Sequence, residues 1–164
     1  MSFLFIQDEE KNKEKKNIMI SEAEIKEAFD KLSRNYGKEL SGLVEKLFRL
    51  ETRNFKSYVF KNTYGAGLLW NEKFFSNKPK FCVFVKPVYK NGIFQGNKIV
   101  NENEAGAKKY CYVVFSSIYD GLKYVADYLL KHKKENDFLP ALRRWGGFPE
   151  YPDKVLKIKN IFVV

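Results

Sequence analysis

Residues 38–68, KELSGLVEKLFRLETRNFKSYVFKNTYGAGL, set the fold. Leu40, Leu43, Val44, Leu47, Phe48 and Leu50 recur at three- and four-residue spacing, which lays them along one side of an α-helix from about Lys38 to Glu51. Glu51 stands four residues after Leu47, seven after Val44 and eleven after Leu40, so this helix carries its last carboxyl on the apolar stripe and aims it at the core. A buried carboxyl without a paired cation keeps its proton to higher pH. A carboxylic acid still protonated near neutral pH is the group that must protonate the leaving oxygen when a glycosidic bond is cut. The competing reading has Glu51 swing into solvent at the helix end or pair with Arg49 or Arg53. After the acid come Thr52, an aromatic, Ser57 and a Gly-Ala-Gly loop whose missing side chains let main chain approach a ligand.

Outward from this stretch, Ser21 with Glu24 forms a capping box, and Ala23, Ile25, Ala28, Phe29 and Leu32 continue a helix that Gly37 ends. Residues 62–77 have no period and read as a loop with an irregular turn. Residues 81–88, a hairpin turn at Asn91-Gly92 and residues 110–115 predict a small antiparallel β lobe. Ser117 and Asp120 cap a third long helix through Ile118, Leu122, Val125, Ala126 and Leu129, ending in basic residues, and shorter helices are expected over 137–145 and 152–160. The reading is α+β, mainly helical, with one domain over residues 18–164. Residues 8–17, DEEKNKEKKN, hold no apolar side chain, so residues 1–17 are expected as a charged flexible arm.

No apolar run reaches the roughly 20 residues that span a bilayer, and the opening residues lack the basic flank and apolar length of a secretory signal. Cys82 and Cys111 sit in FCVFV and YCYVV, the surroundings of buried reduced thiols, with a disulfide left open. His132 is the one histidine, so the usual zinc ligand set is missing; neither a metal nor a cofactor is expected, and the chemistry falls to carboxylates. The net charge of +10 calls for an anionic partner, which nucleic acid, anionic membrane or acidic wall polymer would each supply. No nucleic-acid motif accompanies that charge, so nucleic acid ranks last as partner.

Three stretches resemble the lysozyme-like superfamily, closest to the glucosaminidases of glycoside hydrolase family 73 and more loosely to goose-type lysozymes and lytic transglycosylases. The first is Glu51-Thr52 with Phe55, Ser57 and the TYGAGL loop at 63–68, similar to the family's catalytic Glu-Ser/Thr segment and the glycine-containing loop after it. The second is FSSIYDGLKYVADYLL at 115–130, similar to the Phe-x-x-Tyr-x-Ser segment and its helix, without that tyrosine. The third is WGGFPEYPDKV at 145–155, where Gly147, Tyr151 and Lys154 match a late Gly-Tyr…Pro-x-Tyr-x-x-Lys pattern and Phe148 replaces its first tyrosine. The family's Gly-Trp-Gly after the acid is Arg53-Asn54-Phe55 here.

The resemblance implies a lysozyme-like helical domain that cleaves bacterial peptidoglycan, with Glu51 as general acid and Thr52, Ser57, Thr63, Tyr64, Gly65 and Tyr151 toward the substrate. It places a second carboxylate in the β lobe before Phe115, where Glu102 is preferred over Glu104, with Glu72 a further candidate. Inverting hydrolysis needs that carboxylate roughly 6.5–9.5 Å from the acid. Its alternative role is that of an acid on a hydrophilic surface loop, which leaves a one-carboxylate route with the substrate's own acetamido or hydroxymethyl group attacking. Lytic transglycosylation and a non-catalytic wall-binding or virion-structural module are the alternative functions. The missing signal and anchoring repeat fit a phage lysin or virion-associated enzyme acting on the cell wall better than a secreted autolysin.

Overall fold

The computed structural model describes residues 19–164; the expected arm at 1–17 and the domain's first residue, Ile18, lie outside the described residues. Helix α1 (Glu22–Tyr36) starts at Ser21, whose hydroxyl accepts from the Glu24 amide at 3.2 Å. It stops at Gly37, whose φ of 87° favours glycine, and α2 (Lys38–Glu51) begins at the next residue. After α3 (Tyr58–Thr63) and the single turn α4 (Glu72–Phe75), the chain builds β1 (Lys80–Lys90), β2 (Ile93–Val100) and β3 (Lys108–Val113). It then returns to α5 (Ile118–His132), α6 (Leu139–Gly146) and α7 (Tyr151–Leu156). The protein is mixed α+β and mainly helical, with a three-stranded antiparallel sheet in the order β2-β1-β3.

The stripe of α2 does what its spacing requires: Val44, Leu47 and Phe48 are fully buried against Phe29 and Leu32 of α1 and Leu122 and Leu129 of α5. A second, smaller core lies under the sheet, where Val59 meets Val83, Val85, Ile99 and Tyr112. Helix α3 joins the two, since Phe60 enters the helical core while its neighbour Val59 enters the lobe. The sequence expectation left α3 unassigned. It is one and a half turns long, too short for its periodicity to register, and Ser57 caps it by accepting from the Phe60 amide.

Cys82 and Cys111 form a disulfide, which corrects the expectation of reduced thiols. They lie directly opposite each other on β1 and β3, so their side chains leave the sheet on the same face. The two runs around them do not reveal strand register, which is why sequence left the pair open. The bridge closes a loop over a sequence separation of 29. Converting both cysteines to serine is expected to cost about 2–4 kcal/mol, read as a lower melting temperature that dithiothreitol reproduces in the wild type and leaves unchanged in the variant.

A further buried carboxylate escaped the sequence reading. Glu45, on α2 and fully buried, receives the amides of Ile161, Phe162 and Val163 at 2.8–3.1 Å and the Arg49 Nε at 2.7 Å. It clamps the C-terminal segment across α2, and Gly42 lets that segment approach, since a Cβ there would lie 3.0 Å from the Asn160 side chain and 3.9 Å from Val163. Burial pushes this carboxyl up, yet the bonds from Phe162, Ile161, Val163 and Arg49 outweigh it and hold it below its ordinary value of 4.5. A depressed carboxylate stabilises the fold above its unfolded pKa, and that stabilisation is lost as pH falls through the folded pKa. Glu45→Gln, which leaves Arg49 buried without its charge partner, is expected to lose about 3–5 kcal/mol at neutral pH. Melting curves against pH check this: the gap to wild type narrows only on acidification below about 4.5. A gap independent of pH contradicts it.

Candidate active site

Glu51 is the last residue of α2 and only 7% exposed, so the stripe carries it inward. Arg49, a suggested partner, turns instead to Glu45. The Tyr151 hydroxyl donates to Glu51 Oε2 at 2.5 Å, bridging α2 to the first turn of α7. Tyr151 is itself buried, with its ring edge-on to Phe148 at 5.6 Å and flat over Gly146. A Cβ on Gly146 would lie 1.9 Å from Tyr151 Cγ, so the glycine is what permits this ring position. Burial drives the Tyr151 phenol far above its ordinary range, and the Glu51 charge and hydrogen bond push it further. The tyrosine therefore stays a donor to the carboxyl.

β3 carries a second buried tyrosine. Tyr112 is fully buried, and its phenol is also pushed above the usual range, by burial first and then by Tyr110 and the Glu51 charge. Of these two tyrosines, Tyr151 is the one hydrogen-bonded to Glu51. Sequence missed Tyr112, which is one of several aromatics in a strand whose register decides which one faces the helices. Phe81 is the cross-strand partner of Tyr112 and meets Tyr58 edge-on at 5.6 Å. A groove of about 570 Å³ is walled by Tyr58, Phe81, Val83, Asn101, Glu102 and Asn103.

Glu102 stands on the exposed β2–β3 loop at the rim of this groove, whose lining includes neither Glu51 nor Tyr112. Glu104 on the same loop reaches toward Lys86 at 3.6 Å, and Glu72 opens the exposed turn α4. None of the three carboxylates, Glu102 included, makes a hydrogen bond to Glu51.

The chain matches no protein-family model, no curated protein and no solved structure.

The turn after the acid is unusual in its backbone. Arg53, Asn54 and Phe55 follow one another at φ of 52°, 59° and 67°, the left-handed region that costs an L-residue roughly 1 kcal/mol or more each. Phe55 offsets this by entering the core against Phe29, Phe48 and Phe60, and Asn54 accepts from Arg49 at 3.3 Å. Thr52 closes the turn: its hydroxyl donates to the Phe48 carbonyl at 2.5 Å and accepts from the Phe55 amide at 2.8 Å.

The residues expected to meet substrate thus take structural positions. Thr52, Ser57 and Thr63 are buried, with hydroxyls committed to the turn, to the cap of α3 and to the Val59 carbonyl with the Gly65 amide. These three hydroxyls are bonded within the fold. Gly65 lies beneath Phe115, 2.9 Å from where its own Cβ would be. Tyr64 is half-buried in a left-handed C-cap and lines a separate groove with Lys31, Arg34 and Tyr119. Tyr151 is brought to the acid as the resemblance implies, but as a buried support rather than a groove-lining side chain. Among the described residues no helix is long and apolar enough to cross a membrane.

Proposed function

We propose that this chain cleaves the glycan strand of bacterial peptidoglycan, with Glu51 as general acid. The observation that carries the reading is the buried Glu51 carboxyl at the end of α2, oriented by Tyr151 at 2.5 Å. A carboxyl fixed in a largely dry site is equipped to transfer one proton to a leaving oxygen. The net charge of +10 suits an anionic wall, and the disulfide suits work in an oxidising space outside the cytosol, as by a phage lysin or virion-associated enzyme.

In the hydrolytic route, Glu51 protonates the glycosidic oxygen, the bond to the anomeric carbon breaks and water completes the product, with Glu102 as the candidate base. Because Glu102 sits on an exposed loop, a one-carboxylate route is the second reading. There the substrate's acetamido oxygen or muramic 6-hydroxyl attacks the anomeric carbon while Glu51 acts as acid and then as base. Purified chain added to peptidoglycan isolated from several bacteria is expected to lower its turbidity. Absence of clearance from all of them contradicts enzymatic cleavage and leaves a module that grips the wall.

A further inference from the structure

The β hairpin outruns its sheet. β3 pairs with β1 only as far as Val85, whereas β2 continues to pair with β1 to the turn, where Lys90 faces Ile93. Residues 86–98, KPVYKNGIFQGNK, therefore run on beyond β3 as a two-stranded arm with three lysines and no acid, buried at Gly96 and Asn97 and exposed from Tyr89 to Gln95. Asn91 and Gly92, both at positive φ, make the tight turn at its tip.

The tip is apolar where it has least reason to be. Tyr89, Ile93 and Phe94 are 62%, 65% and 51% exposed, and Tyr89 and Phe94 pair edge-on across the strands at 5.8 Å. Two aromatics and an isoleucine held in water on a narrow protrusion mark a contact surface. Its charge selects the partner: Lys90 at the turn and Lys98 further down the arm flank the apolar tip, while Lys86 leans toward Glu104 at the base. Aromatics that sit at an apolar–polar boundary, an aliphatic that enters it and lysines beside them fit the interface of an anionic lipid bilayer. A glycan would use the ring faces but has no use for Ile93. We infer that the 86–98 arm docks this protein onto anionic lipid surfaces through Tyr89, Ile93 and Phe94, with Lys90 and Lys98 on the headgroups. This contact is independent of Glu51.

Co-sedimentation with vesicles tests it. Wild type is expected to pellet with equal parts phosphatidylglycerol and phosphatidylcholine, to stay in solution with phosphatidylcholine alone, and to release as salt rises. The double variant Ile93→Asp, Phe94→Asp should bind roughly tenfold more weakly or less still, and Lys90→Gln about fivefold more weakly, both with unchanged melting temperature. Phe94→Trp should show a blue-shifted emission with the anionic vesicles, and Glu51→Gln should bind as wild type does. No retention on anionic vesicles, or retention that the double variant keeps, overturns the inference. So does a wild-type dimer that the double variant dissolves without any vesicle binding, or loss of binding to lipid-free walls by that variant.

Discussion

Glu51→Gln is expected to fold and bind walls as wild type does and to clear them at least about a hundredfold more slowly. The amide keeps the shape of the side chain and still offers an oxygen to the Tyr151 hydroxyl, so the bridge between α2 and α7 survives. It has no acid proton to give. Initial rates of turbidity loss, with melting temperature and wall pull-down as controls, check this. A variant that clears walls at the wild-type rate removes Glu51 from the chemistry.

Gly146→Ala should be the most damaging single methyl group near the site. The added Cβ falls 1.9 Å from Tyr151 Cγ and 2.3–2.4 Å from both Cδ atoms, all at the root of a buried ring that has no room to swing aside. Either α6 shifts away from α7 or Tyr151 leaves Glu51. Overpacking of this kind costs typically 1–3 kcal/mol or more, and wall clearance should fall further than stability does. Gly147→Ala, one residue on, is the contrast: nothing lies within 4 Å of its Cβ, and its penalty is the left-handed φ of 84°. That costs about 1 kcal/mol and leaves Tyr151 in place. Thermal melts and clearance rates of the two variants side by side decide it; equal damage from both contradicts the packing account.

What the sequence revealed follows from which interactions are local. The three long helices were legible because caps at Ser21 and Ser117 and a repeating apolar stripe are encoded within a few turns, and Glu51 was found because it continues such a stripe. The hairpin was legible from Asn91-Gly92 alone. Features that depend on distant segments were not. The pairing of Cys82 with Cys111 depends on how β1 and β3 register, and that Tyr112 joins the smaller core with Val59, Val83 and Ile99 depends on the same register. Glu45 looks like any helix glutamate until residues 161–163 arrive from the far end of the chain to donate to it. The hydroxyls of Thr52, Ser57 and Thr63 point the other way: polar residues beside an acid suggest ligand contacts, yet a short helix and a tight turn needed them as caps first.

Mass spectrometry of the glycan fragments released from purified peptidoglycan tests the central claim most directly, because each route leaves its own chain end. The expected result is fragments with new reducing N-acetylglucosamine ends from the wild type and none from Glu51→Gln, as attack by water after protonation by one acid requires. Fragments ending in an anhydro sugar would replace hydrolysis with internal attack by the muramic 6-hydroxyl and leave Glu102 without a role. No glycan fragments at all, or the same fragments from Glu51→Gln, would contradict the assignment of Glu51 as the acid that cuts the strand.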